Sequence, residues 1–246
     1  MFPVISKGFT LVELVVVIII LSIVGLATTS YIATGVNIYT GVADRDKSIN
    51  SLRFVIERMR REVAEALPNS AKVENGCLKF APIMASSIYG NNFPILPISS
   101  DTATIASVTD TNYAFTKDDR VAVYVLGNND LYTNEGLLQN STQVRTITAI
   151  GNDSLTFSSD DSFTLGSPAK RFFIIRNTVD YCFKNNTIVR SENEGAEVLM
   201  ANNISGSFTV SNATLQRNAL VQVKFLLDFD DQKGAFEETL HINNVP

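Results

Sequence analysis

Hydrophobic residues are concentrated in one long run near the N-terminus of this chain of 246 residues. No charged residue lies between Glu13 and Asp44, and the stretch Leu14–Ala27 is almost wholly apolar. A helix over residues 9–31 would be about 35 Å long at 1.5 Å per residue, which is enough to cross a hydrocarbon core of ~30 Å. The pattern therefore predicts a membrane-spanning helix.

A second helical pattern follows directly. Charged residues fill one face of it, and Pro68 ends it. We expect one long helix, or two nearly continuous ones bending at Gly35 and Gly41, with an apolar stripe packed against a sheet. A short coiled coil is the alternative, because the heptad spacing lasts for about three heptads. The stripe recurs at spacings of three and four residues, at Ile49, Leu52, Ile56, Met59, Val63 and Ala66.

Beyond Gly76 the pattern changes to short alternating or fully apolar runs separated by turn residues. Such runs predict β-strands, with hairpin turns at 151–153, 185–186 and 230–234. Residues 82–118, rich in Pro, Ser, Asn and Thr, are expected to form extended loops and short strands. The strands are predicted at Cys77–Phe80, Val121–Leu126, Gln143–Ile150, Ser154–Phe157, Arg171–Thr178, Asp180–Phe183, Thr187–Arg190, Gly206–Val210, Ala219–Phe229 and Phe236–Ile242.

Charge and composition narrow the possible functions. The formal net charge is −5, and the mean hydropathy of +0.12 reflects the apolar N-terminus. Nucleic-acid binding has no electrostatic support, because the chain is acidic overall and carries no basic cluster with interleaved aromatic residues. The arginines around Arg60 alternate with glutamates, which is typical of a solvated helix face. We therefore expect no nucleic-acid partner.

A single carboxylate stands at the start of the apolar run. Residues 7–14 read KGFTLVEL, which places Glu13 inside the predicted membrane helix. An acidic residue costs about 2.5–3.5 kcal/mol at a helix centre on insertion scales, and less near an end, so Glu13 is a candidate functional residue. A cleaved secretory signal peptide would have a longer basic region before the run, although the small residues after it allow cleavage. A plain uncleaved anchor tolerates Glu13 but gives no reason for it.

A third interpretation accounts for the whole segment, since residues 7–14 closely resemble the prepilin-type signal of type IV pilins and type II secretion pseudopilins. In that family a membrane-embedded prepilin peptidase cleaves after the glycine on the cytoplasmic side and methylates the new N-terminal residue. The resemblance implies cleavage after Gly8, N-methylation of Phe9 and a role for Glu13 in methylation and filament assembly. The Glu13 carboxylate can neutralise the Phe9 amine of a neighbouring subunit, because this attraction is strong in a low-dielectric helical bundle.

The same resemblance implies an architecture, a location and partners. It divides the chain into a leader (1–8), a transmembrane assembly helix (9–33), an amphipathic helix (34–68) and a periplasmic β-rich domain (69–246). The expected fold is α+β and pilin-like, with the long N-terminal helix packed on antiparallel strands. The expected protein crosses the inner membrane once, and its partners are prepilin peptidase and other major and minor pilins, which pack through their N-terminal helices.

Several departures from the major pilins favour a minor subunit. Many major subunits carry a helix-breaking Pro and a Gly inside the membrane segment, where this chain has Ser30 and Ser22. Residues 44–46, 53–58 and 179–190 give the chain a similarity to larger minor subunits, including the J-type pseudopilin of type II secretion and minor pilins of the mannose-sensitive haemagglutinin (MSHA) pilus. Three functions stay open: a minor pilin in pilus initiation or at the tip, a type II secretion pseudopilin, and a membrane-anchored periplasmic binding or adhesion module.

The chain has two cysteines, Cys77 and Cys182, which form no C-x-x-C pair. In an exported domain two separated cysteines predict one disulfide, and two buried free thiols are the alternative. Closing a loop of about a hundred residues would stabilise the fold by roughly 4–5 kcal/mol in the chain-entropy treatment, whose mechanism is disputed.

The remaining polar clusters give no catalytic pattern. Asp228, Asp230 and Asp231 precede Gly234, but their spacing departs from the calcium-loop pattern, so a solvated turn is the expected structure. Residues 192–197 contain an acidic loop. The one histidine, His241, lies in an alternating stretch and is expected in a strand. Neither a Ser/His/Asp set nor a Gly-rich phosphate loop occurs, and we predict no enzyme, no cofactor and no metal site.

Overall fold

The computed structural model describes residue 8 and residues 10–108, 113–133, 138–211, 219–229 and 232–243. It divides into two compact units, Met1–Ile49 and Asn50–Pro246. The elements are α1 (Leu11–Ala64), β1 (Lys72–Glu74), β2 (Cys77–Phe80), β3 (Ile83–Ile88), β4 (Thr102–Thr104), β5 (Arg120–Ala122), a 3-10 turn (Asn128–Asp130), β6 (Val144–Ile150), β7 (Ser154–Phe157), β8 (Arg171–Ile175), β9 (Val179–Lys184), β10 (Thr187–Glu192), β11 (Val198–Asn202), β12 (Ile204–Ser211), β13 (Leu220–Phe229) and β14 (Gln232–His241).

A long N-terminal apolar helix is followed by antiparallel sheets, which confirms the predicted α+β fold. Helix α1 continues through Gly35 and Gly41 without a change of secondary structure. It ends at Ala64, and the chain then turns so that the Leu67 N–H donates to the Ala81 carbonyl at 2.8 Å. The carbonyl groups at the end of the helix are satisfied by more distant residues, because the Ile83 N–H donates to the Glu65 carbonyl at 2.9 Å and the Asn243 N–H donates to the Ala64 carbonyl at 3.3 Å.

The part of α1 in the second unit packs its apolar stripe against two sheets. Leu52, Val55, Met59 and Val63 are buried, and they share one hydrophobic core with side chains of β2, β9, β10 and β12–β14. The predicted packing of the stripe on a sheet is confirmed, although Val55 was not part of the predicted stripe. The sheets have the orders β1-β2-β9-β10-β11 and β12-β13-β14. We call this region, from Asn50 to Phe80 and from Val179 onward, the helix–sheet layer.

The two sheets of this layer meet through aromatic rings. The Phe183 ring stacks on Phe208 with centroids 4.8 Å apart and contacts Phe225 at 5.9 Å. Gly206 of β12 allows this approach, since a Cβ there would lie 2.7 Å from the Phe183 ring and 2.1 Å from the Lys224 carbonyl oxygen. A side chain at position 206 would therefore separate the sheets or disrupt the β12–β13 pairing.

The remaining strands form a second region, inserted between β2 and β9. These two strands are neighbours, with Phe80 opposite Val179, so the chain leaves the helix–sheet layer and returns to it at one place. The inserted strands have the order β3-β8-β5-β6-β7-β4, and all their pairings are antiparallel. A bridge between Tyr89 and Ile105, just after β3 and β4, joins the two ends of this sheet. The described residues between 83 and 175 thus form a small closed barrel, which we call the barrel lobe.

Side chains alternate between the inside and the outside of this barrel. Val121, Phe172 and Ile174 point into its interior core. Their neighbours Phe173 and Ile175 belong to an outer cluster that also includes Leu67 and Ala81. The barrel lobe therefore has a core of its own and a second apolar contact with the segment that follows α1.

Some strand predictions were wrong. The predicted strand Val121–Leu126 is reduced to β5, because Tyr124 has a positive φ of 46° and the Gln143 side chain binds the carbonyl groups of Val123 and Tyr124 in place of a strand. The predicted strand region after Arg171 is divided between β8 and β9, which belong to different sheets. Strands β1 and β11 were not predicted.

Candidate functional site

The start of α1 is fixed by a side-chain cap. The Glu13 backbone N–H donates to the Thr10 hydroxyl oxygen at 3.3 Å, and the Leu14 N–H donates to the Thr10 carbonyl oxygen at 3.2 Å. Thr10 is therefore the N-cap, and Glu13 occupies the first turn, where the helix dipole favours a negative charge. The sequence analysis missed the helix cap at Thr10 and the favourable place of Glu13 in the first turn, although Thr-x-x-Glu before an apolar run is a known capping signature.

Of the residues around the predicted cleavage site, the structure describes Gly8 but not its two neighbours. Gly8 is exposed, and a Cβ at this position would meet no atom of the other described residues within 4 Å. The described part of the fold thus gives no steric reason for a glycine at position 8. Phe9, the predicted methylation site, and Lys7 lie outside the described residues.

Beyond Glu13, α1 presents an apolar surface that is not covered within its unit. The helix contains an 18-residue window with a mean hydropathy of 2.8, and none of that window is buried. The polar side chains in this part bond to the preceding turn: Ser22 Oγ donates to the Ile18 carbonyl at 2.7 Å and Thr29 Oγ1 to the Gly25 carbonyl at 2.8 Å. Such bonds allow hydroxyl groups to enter a hydrocarbon environment without losing their hydrogen bonds.

In the second unit a polar cluster fixes the end of α1 to the five-stranded sheet. The Glu62 carboxylate accepts hydrogen bonds from Arg58 Nε at 3.0 Å, Arg190 Nε at 3.0 Å and the Tyr181 hydroxyl at 2.8 Å. Burial raises the pKa of the Tyr181 hydroxyl, and the neighbouring Glu62 raises it further, so Tyr181 remains a neutral donor. At the other sheet Arg60 Nη2 donates to Glu238 at 2.7 Å.

Cys77 and Cys182 form a disulfide, as predicted. They lie directly opposite each other on β2 and β9, beside the place where the barrel lobe leaves and rejoins the helix–sheet layer. The bond closes a loop with a sequence separation of 105 residues, which includes the whole barrel lobe. Disulfides persist in oxidising compartments, so this bond is typical of an exported domain.

The acidic loop after β10 is used in ion pairs. Glu192 accepts from Arg190 Nη2 at 2.8 Å, Glu194 accepts from Lys79 Nζ at 2.6 Å, and Glu197 pairs with Lys184. Among the candidate turn acids, Asp228 is the penultimate residue of β13, while Asp230 and Asp231 lie outside the described residues.

His241 is the last residue of β14 and pairs with Leu220, which confirms its expected strand position.

Comparison with known proteins adds one match. Residues 5–29 match the family described as the prokaryotic N-terminal methylation motif. Neither the curated proteins nor the solved structures give a match to this chain. The motif implies processing by prepilin peptidase and assembly through the helix, and with the apolar helix it fits a membrane-anchored, single-pass protein. The chain thus has a type IV prepilin-like N-terminus, which supports a structural protein of the general pilin or pseudopilin type.

Proposed function

We propose that this protein is a minor type IV pilin that helps to initiate the pilus or forms part of its tip, in a system of the MSHA kind, where it resembles the subunit MshO. The observation that carries the proposal is the constellation of Gly8, Phe9 and Glu13 at the head of an exposed apolar helix. The large β-rich second unit and the absence of Pro from the apolar segment support a minor rather than a major subunit.

The proposed processing sequence follows from the chemistry of the N-terminus. Prepilin peptidase cleaves after Gly8 and methylates the amine of Phe9, which carries a positive charge at the membrane boundary. Because the described residues give no steric reason for the glycine, we assign the requirement for Gly8 to the peptidase. The helix then packs beside those of other pilins, and the Glu13 carboxylate pairs with the Phe9 amine of a neighbouring subunit.

We place the second unit in the periplasm, with α1 anchored in the inner membrane. The disulfide between Cys77 and Cys182 supports this orientation, since the periplasm is oxidising and the cytosol keeps thiols reduced.

The N-terminus of the mature protein gives the first test. Mass spectrometry of the protein from its native host should show loss of residues 1–8 and one added methyl group on Phe9. An intact Met1, or cleavage after the apolar run, would contradict the proposal. The alternative of a type II secretion pseudopilin shares this processing, so deletion of the gene has to be scored both for surface pili and for protein secretion. Lost secretion with normal pili favours the pseudopilin.

The role of Glu13 can be separated from its role in the helix cap. Glu13→Ala should leave cleavage at Gly8 largely intact but strongly reduce the number of pili seen by electron microscopy. Thr10→Ala removes the cap and keeps the carboxylate, while Asp44→Ala removes an exposed acid farther along α1. Both controls should assemble far better than Glu13→Ala. A normal number of pili in Glu13→Ala contradicts the assigned contact, and equal losses in Thr10→Ala assign the effect to helix capping.

A further inference from the structure

The barrel lobe has a polar cleft of about 620 Å³, a volume in the range of small-molecule sites. Its walls come from three segments that are distant in sequence: the loop holding Leu96 and Ser99, residues 140–142 before β6, and residues 158–162 after β7. Arg145 of β6 also lines it. None of the residues that line the cleft belongs to α1 or to the polar cluster around Glu62, so the proposed assembly contacts do not account for it.

Arg145 lies on the inward face of the barrel, where core positions such as Val121 and Ile147 are apolar. It alternates with the outward-facing Val144 and shares the inward face of β6 with Ile147. Only 5 % of the residue is exposed, and its guanidinium carbon lies 4.3 Å from the Phe157 ring centroid and 5.4 Å from that of Phe163. A buried cation is costly unless hydrogen bonds and countercharges compensate it.

The compensation of Arg145 is incomplete. Its Nη2 donates to the Ser159 carbonyl oxygen, but Nε and Nη1 find no acceptor among the described residues. Nearby Gln143 is equally buried, and its side chain donates to three carbonyl groups and accepts from the Leu165 N–H. The barrel lobe can therefore satisfy a buried polar side chain. Arg120 Nε, Asn128 Oδ1 and Ser167 Oγ of this lobe also lack a partner among the described residues, but only the unpartnered atoms of Arg145 belong to a residue that lines the cleft. The unused donors of Arg145 therefore point to a missing acceptor at the cleft.

The other lining groups carry both donors and acceptors. Ser162 Oγ donates to the Ile98 carbonyl at 2.7 Å, which leaves its oxygen available to accept. Asn140 Oδ1 accepts from Thr146 at 2.8 Å, which orients the amide. The Asp161 carboxylate is fixed by a hydrogen bond of 2.7 Å from Ser159 Oγ. These bonds orient the lining groups in the ligand-free structure.

The charges of the cleft select against ionic ligands. Asp160 and Asp161 are exposed carboxylates on its wall and would repel an anion. Arg145 lies beneath and would repel a cation. A ligand that satisfies both groups has to be neutral and to present hydroxyl groups as donors and acceptors at close spacing. A peptide fits less well, because Leu96 is the apolar side chain on the rim and the lining is otherwise mainly hydroxyl, amide and carboxylate groups.

We propose that this cleft of the barrel lobe binds a neutral saccharide. Hydroxyl groups of the sugar donate to Asp160 and Asp161, and its oxygens accept from Arg145 and from the amide of Asn140, while Leu96 covers an apolar sugar face. Nε and Nη1 of Arg145 are closed to solvent, so residues 158–162 have to shift outward before a ligand reaches them. Because none of these residues belongs to α1, we expect binding to be separable from assembly through the helix.

The test uses the full chain, purified in a zwitterionic detergent, because sugar-headed detergents would compete. The probes are immobilised neutral oligosaccharides of hexoses and N-acetylhexosamines, beside sialylated glycans, uronic-acid glycans and a peptide set. Wild-type protein should bind at least one neutral glycan. The double variant Asp160→Asn/Asp161→Asn should bind it at least about tenfold more weakly, as expected for loss of charged hydrogen bonds. Asp153→Asn, an exposed acid in the β6–β7 turn, is the matched control and should bind like wild type.

Two further readouts make the outcome decisive. Hydrogen exchange at residues 158–162 should change when the glycan binds, and pilus number should stay normal in the double aspartate variant. Failure of the wild-type protein to bind any neutral glycan overturns the proposal, as does binding of only acidic glycans or peptides. Equal binding by the double variant and the Asp153→Asn control also overturns it. Loss of pili on Glu13→Ala with unchanged glycan binding keeps the two proposals distinct.

Discussion

The helix–sheet layer and the barrel lobe bury their side chains in different ways. In the helix–sheet layer, β13 and β14 are each ten residues long, and the core is mostly aliphatic, with one stripe supplied by α1. In the barrel lobe the longest strand has seven residues and the shortest have three. Its interior is built around Phe93, whose ring stacks on those of Tyr89, Phe163 and Phe172 at centroid distances of 4.4–6.0 Å.

This difference shows how very short strands can form a stable region. A strand of three residues places only one or two side chains on a given face, so alternation alone cannot bury enough apolar area. Closure of the barrel supplies the missing backbone pairing, and each aromatic ring buries a large area with few residues. The long strands of the helix–sheet layer do not need closure, because the α1 stripe covers their inner face, and the aromatic rings of this layer lie where its two sheets meet.

Removing the disulfide should have the largest effect on stability, and it should lower the stability of the helix–sheet layer but not that of the barrel lobe. If the barrel lobe opens alone, the β2–β9 pairing still holds the ends of its loop together, and the disulfide adds nothing. When the helix–sheet layer unfolds, the bond restrains a loop with a separation of 105 residues. Cys77→Ala/Cys182→Ala should therefore destabilise the helix–sheet layer by about 4–5 kcal/mol in the chain-entropy treatment and leave local opening of the barrel unchanged.

Native-state hydrogen exchange of the full chain measures both quantities. Amides of β13 should lose protection in the double variant, while amides of β8 that exchange through local opening should not. The reduced wild-type protein is the control for the substitutions themselves. An equal loss of protection in β8 and β13 would show that the two regions unfold as one unit.

The second effect should fall on the barrel lobe alone. Phe93 is 1 % exposed and contacts several rings, so Phe93→Ala loses transfer free energy and leaves a cavity, at a cost of about 3–5 kcal/mol. Hydrogen exchange should accelerate in β5 and β8 with little change in β13. Phe54→Ala is the matched control, because Phe54 is 58 % exposed on α1 and its truncation should alter neither region. Unfolding of the helix–sheet layer by Phe93→Ala would refute the separate cores.

The sequence predicts these two regions unequally well, for physical reasons. Helix α1, β13 and the β9–β10 hairpin have long periodic patterns or clear turn residues, so local signals identify them. In the barrel lobe, β4 and β5 are too short to show a period. Closure of the barrel depends on the bridge between Tyr89 and Ile105, and no local sequence pattern predicts that pairing.

The candidate sites differ in the same way. The N-terminal motif is contiguous and was predicted residue by residue, whereas the cleft at Arg145 combines three distant segments. An arginine on the inward face of β6, beside the apolar Ile147, is the one signal that could have indicated the cleft, but it becomes visible only once the register of β6 is known.

The third effect concerns a buried acid of the barrel lobe. Asp119 accepts from Arg176 Nε at 2.6 Å, from the Tyr113 hydroxyl at 2.6 Å and from the Thr116 N–H at 3.0 Å. Burial raises the pKa of Asp119, but these donors outweigh it, so its pKa lies below the ordinary value. Asp119→Asn leaves Arg176 without its countercharge and should cost on the order of 3 kcal/mol at pH 7. Asp118→Asn, at the exposed neighbour, should change stability little.

The pH dependence gives Asp119 a second test. Because its pKa is lower in the folded than in the unfolded state, its contribution is present above the unfolded value of about 3.9 and is lost as the pH falls through the folded value. Denaturation of the wild-type protein should therefore steepen below about pH 4. Asp119→Asn should remove part of this loss of stability at low pH. An unchanged dependence of stability on pH below about pH 4 would contradict the lowered pKa of Asp119.

The smallest effect comes from a buried acid of the helix–sheet layer, whose pKa is shifted in the opposite direction. Asp180 lies 3.3 Å from Lys79 Nζ, but its Oδ2 has no hydrogen-bond partner among the described residues. Burial raises the pKa of Asp180 more than Lys79 lowers it. Because the folded pKa is above the unfolded one, ionisation destabilises the fold as the pH rises from about 4 through the folded value. Lys79 also pairs with Glu194 at 2.6 Å, so it keeps a partner when Asp180 is neutral.

Asp180→Asn should therefore change stability by less than about 1 kcal/mol at pH 7, with a sign that is neutral or stabilising. The difference from wild type should shrink toward pH 4, since the wild-type carboxyl is then protonated as well. Urea denaturation at pH 4 and pH 7 measures this, with Asp118→Asn as the exposed reference. A loss at pH 7 as large as that of Asp119→Asn would mean that the Lys79 pair stabilises the helix–sheet layer as strongly as Arg176 stabilises the barrel. In that case the two regions would not differ in how they hold a buried charge.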